Sequence, residues 1–76
     1  MVLAYVLIVA EAGSEKNISD VLSDTSGVEE VDIIYGEYDL IAKIKVDDIA
    51  NLGDFIIEHV RPIEGVKRTS TLIAVE

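Results

Sequence analysis

The sequence predicts an α+β fold in the order strand, helix, strand, strand, helix, strand, and three observations carry this. Residues 2–11 are dense in Val, Leu, Ile, Ala and Tyr, and Leu72–Val75 near the C-terminus are again continuously apolar, as strands buried in a sheet require. Two stretches, opening at Ser14 and at Asp47, place apolar residues at helical spacing. Between them, two more β-type runs flank Gly36-Glu37, and a glycine at the first central position of a two-residue loop suits a type II′ hairpin turn. At 76 residues there is room for one hydrophobic core, so residues 1–76 are expected to form a single domain.

The first strand, residues 2–11, runs into the turn signal Ala12-Gly13-Ser14. Ser14 is placed to cap a helix whose first turn holds Glu15 and whose Ile18, Val21 and Leu22 share one face, and Gly27 closes that segment. Val28–Tyr35 and Tyr38–Val46 are the hairpin strands. Asp47-Asp48 then offer caps for a second helix in which Ile49, Leu52, Ile56 and Val60 form a stripe, with Phe55 beside it and Pro62 ending it. Gly53 inside this helix costs about 1 kcal/mol relative to Ala, which indicates close packing there or plain tolerance. Val66–Val75 is the last strand. The pairs Gly27-Val28 and Gly65-Val66 each lead out of a helix into a strand, so the two halves echo one another. This order is the split β-α-β pattern of ferredoxin-like folds, an antiparallel four-stranded sheet with two helices on one face.

Such a sheet leaves one face open, and its strands should alternate apolar with polar. They do not: Val2–Ala10, Leu40-Ile41-Ala42 and Leu72–Val75 are apolar at successive positions. A second copy of the same sheet is the simplest cover, giving a two-fold dimer packed sheet to sheet, a dimeric α+β barrel. The chain has no cysteine and one histidine, so disulfides and thiolate metal sites are excluded, no metal or cofactor is expected, and the reducing cytoplasm is the expected compartment. Fifteen acidic residues against six basic give a net charge of -9, which opposes contact with nucleic-acid phosphates. The apolar N-terminal run is too short to span a bilayer and has no basic residue ahead of it, so neither a membrane span nor a signal peptide is expected.

The densest polar signals are Tyr35-Gly36-Glu37-Tyr38-Asp39 at the hairpin and Lys67-Arg68-Thr69-Ser70-Thr71 entering the last strand. A free amino acid needs acceptors for its ammonium and donors for its carboxylate, and a glycine loop with Asp, Thr and Ser nearby supplies both. The same residues also serve a tight hairpin and ordinary strands. His59, near a helix end, reads as a partner for the helix dipole, Asp47-Asp48 as caps, and Glu29-Glu30-Asp32 as a solvated strand edge. No nucleophile and base pair and no phosphate-binding glycine motif is visible, so an enzyme is not expected.

At Gly36-Glu37-Tyr38-Asp39 followed by Leu40-Ile41-Ala42, and again at Gly65-Val66-Lys67-Arg68-Thr69-Ser70-Thr71, the sequence resembles the effector (RAM) domain of the Lrp/AsnC, or feast/famine, transcriptional regulators. The family's Gly-x-x-Asp hairpin and its Gly-Val, then Thr-x-Thr, last strand are both present, and the likeness covers nearly the whole chain. The resemblance implies a ferredoxin-like subunit that dimerises through its sheets, assembles further into octamers, and binds amino acids between dimers near the hairpin. Gly36, Tyr38 and Asp39 would then frame the ligand's amino and carboxylate groups, and Thr69 and Thr71 would line the same cleft. Family regulators carry a helix-turn-helix domain ahead of this module, whereas this chain begins with Met at the module's first strand. The implied role is a stand-alone version that binds an amino acid itself or co-assembles with a full-length regulator. Two other readings are a small dimeric α+β barrel enzyme of monooxygenase or isomerase type, for which only Tyr35, Tyr38, Asp39 and His59 could serve, and a ligand-free oligomerisation subunit.

Overall fold

The structure is a computed structural model and describes residues 1–75. The elements are β1 (Val2–Ala10), α1 (Glu15–Ser23), β2 (Val28–Ile33), β3 (Leu40–Val46), α2 (Ile49–Phe55), which continues as a π-helical turn over Ile56–Val60, and β4 (Val66–Ile73). The expected α+β order is therefore present, with the first and last strands shorter at their C-terminal ends than the apolar runs alone suggest. The sheet order is β2-β3-β1-β4 and every neighbouring pair is antiparallel. Ile8 of β1 lies opposite Leu40 on one side and Thr69 on the other, which fixes the register of the whole sheet.

Strand alternation divides β1 between two environments. Ala4, Val6, Ile8 and Ala10 point to the helices and are buried with Leu40, Ala42 and Ile44 of β3. Ile18 and Leu22 of α1, and Leu52, Ile56 and Val60 from α2 and its π turn, close over them. On the opposite face Leu3, Tyr5, Leu7 and Val9 are half-buried beside Ile41 and Leu72, with Lys43, Lys45 and Arg68 as their cross-strand neighbours. The open face is thus apolar along its middle and charged at its rim, the chemical form of the two-sided apolarity read from the sequence.

Two expectations for the helices are corrected. Ser14 sits at the start of α1, but its backbone is in the αR region and its hydroxyl caps nothing. A cap needs an extended Ncap backbone to turn the side chain onto the first free N–H groups. Asp48 has that geometry, and its carboxylate accepts from Asn51 N–H at 2.8 Å. In α2 the stripe is buried at Leu52, Ile56 and Val60, whereas Ile49 is 62% exposed. Ile49 lies on the flank turned toward β4 and shares a groove with Thr71 of that strand.

The two-residue Gly36-Glu37 turn does not form. Six residues separate β2 from β3, and Ile34 N–H donates to the Asp39 carbonyl at 2.9 Å, closing a loop around Tyr35–Tyr38. Asp39 is the reason. Its N–H donates to the Ile8 carbonyl at 2.8 Å, and its Oδ2 accepts from Ala10 N–H at 2.8 Å. These bonds hold the start of β3 against β1, and Tyr38 cannot then pair with Tyr35 as a tight turn would require.

The echo between the halves is real in the backbone. Gly27 and Gly65 both have φ of +98°, a region that L side chains avoid. Each packs against the other crossover: a Cβ at Gly27 would meet Phe55 at 3.0 Å, and one at Gly65 would lie 2.6 Å from Ser14 Oγ and closer still to its Cβ. Gly65→Ala combines the left-handed backbone penalty with overpacking and is expected to destabilise the fold by about 3 kcal/mol in urea unfolding; a loss below about 1 kcal/mol would contradict this packing. Gly53 is the opposite case, since nothing lies within 4 Å of a Cβ added there. Gly53→Ala should therefore raise stability by about 1 kcal/mol in the same assay, and a decrease would show that the position is crowded.

Candidate functional site

The hairpin end of the sheet gathers Gly36, Tyr38 and Asp39. Gly36 is exposed with φ of +126°, Tyr35 beside it is fully exposed, and Tyr38 and Asp39 are half-buried. The backbone N–H groups of residues 35–38 donate to no acceptor among the described residues. Asp39 Oδ2 is fixed by Ala10 N–H, while Oδ1 accepts nothing among the described residues. The loop thus holds four successive backbone N–H groups without an acceptor among the described residues, next in sequence to a carboxylate with one oxygen tethered and the other unengaged. Such a run of amides favours an anion, and the oxygen beside it favours a cation.

Thr69 and Thr71 stand on the far side of β1. They lie opposite Ile8 and Val6, both fully buried, so they point to the helix side of the sheet. Thr69 is level with Leu40, two strand spacings or roughly 10 Å away. Where β4 begins, the register with β1 shifts, so that Val9 faces Arg68 while Ala10 faces Val66, leaving Lys67 as a bulge at the hairpin end. Thr71 lies one pleat further along and lines a groove of about 280 Å³ with Ile49, Leu52, Gly53, Ile56, Ile57 and Arg61, in which no hairpin residue takes part. Within one subunit, then, the hairpin trio is together, Thr69 is at the same height across β1, and Thr71 belongs to a different recess.

The remaining candidates separate as well. His59 lies in the π turn with its ring 5.1 Å from that of Phe55, and it lines a groove with Gly27, Asp47 and Glu58 at the end of the sheet opposite the hairpin. It cannot act together with Tyr35, Tyr38 or Asp39 of the same subunit. Glu30 lies 4.0 Å from Lys43 at the sheet rim, and Asp32 is exposed. Among the described residues no group of three His, Asp or Glu could hold a metal, and no polar or charged side chain is buried. The subunit interior offers no polar chemistry, so a site must lie on the surface or between subunits. Among the described residues no helix is long and apolar enough to cross a membrane. Sequence reasoning missed the recess beside α2. Its signals were Gly53 inside a helix and Ile57, an isoleucine off the buried stripe.

Comparison with known proteins gives a consistent result. The family described as "Lrp/AsnC ligand binding domain" matches residues 3–76. An uncharacterized HTH-type transcriptional regulator of Pyrococcus furiosus is 32% identical over 74 residues, which are 93% of this chain and 49% of that protein. The chain thus spans about half the length of the curated relatives it matches. The crystal structure of a hypothetical protein, PHS023, from Pyrococcus horikoshii superposes with a TM-score of 0.92 at 39% identity, covering 100% of this chain and 92% of that one. The crystal structure of a transcriptional regulator–L-Met complex from Neisseria meningitidis superposes with a TM-score of 0.90, covering 99% of this chain and 50% of that one; at 12% identity the likeness is of fold alone. A four-stranded antiparallel sheet in β-α-β-β-α-β order and a family match over nearly the full length agree: the chain belongs to the Lrp/AsnC family, as its ligand-binding regulatory domain.

Proposed function

We propose that residues 1–76 form a cytoplasmic, non-enzymatic regulatory domain that binds a free amino acid at the hairpin and works as part of a sheet-to-sheet assembly. The observation that carries this reading is the hairpin's pairing of free N–H groups at residues 35–38 with the free Oδ1 of Asp39. The amides suit the ligand's carboxylate and Oδ1 suits its ammonium, with Gly36 admitting close approach and Tyr38 forming the wall. Thr69 of the same chain is displaced from this spot, so its place in the cleft is read as a contribution from a neighbouring subunit, whereas Thr71 is assigned to the separate recess beside α2. The fold-level neighbour crystallised with L-Met supports an amino acid as the ligand class.

The apolar middle of the open face supports the dimer. Leu3, Tyr5, Leu7, Val9 and Ile41 form a contiguous surface that another copy, or a full-length regulator carrying the same module, would bury. A ligand that bridges subunits would favour one assembly over another by no more than its difference in affinity for the two.

Two experiments test this reading. Thermal unfolding against each of the twenty amino acids at millimolar concentration should show a rise in Tm with one or a few of them; no rise with any would leave a ligand-free oligomerisation subunit. Asp39→Asn keeps an acceptor for Ala10 N–H but removes the charge, so it should keep the fold and lose the amino-acid response. Asp39→Ala should lose both the response and about 1 kcal/mol of stability. An unchanged response in Asp39→Asn would remove the carboxylate from the site. Separately, Leu7→Asp places a charge at the centre of the open face and should convert the assembly to monomer by sedimentation, whereas an unchanged mass would rule out this face as the interface.

A further inference from the structure

We propose that the groove between α2 and β4 is a second ligand site, for a small branched aliphatic carboxylate that carries no amino group. Its walls are apolar, from Leu52, Ile56, Ile49 and Ile57, and the last two are 62% and 61% exposed because they face the groove rather than the core. At about 280 Å³ it is near the lower end of small-molecule sites, which begin at roughly 300 Å³.

Three features converge here. Gly53 lines the groove although nothing lies within 4 Å of a Cβ placed on it, so neither packing nor a left-handed backbone requires glycine at that point. Its missing side chain keeps the recess open at the expense of helix propensity. Next, the helix inserts a residue: Arg61 N–H reaches back to the Ile56 carbonyl, five residues away, in place of Ile57. One extra residue turns everything after it by about 100° around the helix axis, and Arg61 thereby comes to line the groove. Lastly, among the described residues the Arg61 guanidinium has no ion pair and the Thr71 hydroxyl no hydrogen-bond partner.

The polar groups define the ligand. A guanidinium binds a carboxylate through two parallel hydrogen bonds, and the Thr71 hydroxyl can serve an adjacent oxygen. Among the described residues no Asp or Glu lines the groove, so a ligand ammonium would be left there without a charged acceptor. The four aliphatic side chains match a branched hydrocarbon tail. The ligand class is thus a short branched-chain acid or its 2-oxo derivative, distinct from the amino acid assigned to the hairpin. This site does not depend on the hairpin reading.

Calorimetric titration of 4-methylpentanoate, 4-methyl-2-oxopentanoate and leucine into the full chain tests the assignment. Both acids should bind, leucine should not bind this groove, and uncharged 4-methylpentanol should bind the wild-type groove only weakly. Gly53→Leu fills the recess with a better helix former and should abolish binding of the acids, while Arg61→Gln should weaken it by about tenfold or more. Neither variant should alter any amino-acid response of the hairpin. Failure of the acids to bind the wild-type chain, retention of their binding in Gly53→Leu, or equal affinity in Arg61→Gln would each overturn the proposal. So would a change in sedimentation mass in Gly53→Leu with no acid bound by the wild type, because the groove would then be a contact between copies.

Discussion

β1 is the strand on which the rest of the structure depends. It pairs along both edges, with β3 and with β4, so without it the sheet would reduce to a hairpin and an isolated strand. It is also apolar on both faces, and this creates an imbalance. The two helices cover the face carrying Val6 and Ile8, whereas on the other face Leu3, Tyr5, Leu7 and Val9 are left half-buried by the described residues. A domain of this size has few other sources of stability, with no disulfide and a core of aliphatic side chains and three alanines. Association through the open face would answer both the exposure and the small core at once.

Among the described residues no polar side chain is buried, and this places constraints on function as well. Chemistry in this chain is confined to edges, loops and recesses, while the crossovers are pinned by Gly27 against Phe55 and Gly65 against Ser14. The scaffold is closely packed where the helices join the strands and exposed at the hairpin.

Element order was legible because it rests on local periodicity: the β-branched density of β1, the Ile18–Leu22 face of α1 and the Leu52–Ile56–Val60 stripe all survive in the structure. The hairpin was misread because its shape is decided by a side chain binding a backbone N–H 29 residues away, which no local turn rule contains. Ile49 was placed in the core because a stripe read on a helical wheel cannot say which flank faces an edge strand. For the candidate site, the grouping of Gly36, Tyr38 and Asp39 followed from their adjacency in sequence. The separation of Thr71 from them depends on β1 lying between β3 and β4, a fact of topology. Gly53 and Arg61 were visible as residues, but their convergence required the π turn.

The bond between Asp39 and Ala10 has one more consequence. A sheet ordinarily ends where a backbone carbonyl is no longer in reach, yet here a rotatable carboxylate supplies the last acceptor. Rotation about the Asp39 side chain can release Ala10 N–H without moving any strand. The last rung of the β1–β3 ladder can therefore open by itself, with the rest of the register intact. Opening at this corner is expected to be confined to one residue and to show as faster amide exchange at Ala10 than at Ile8.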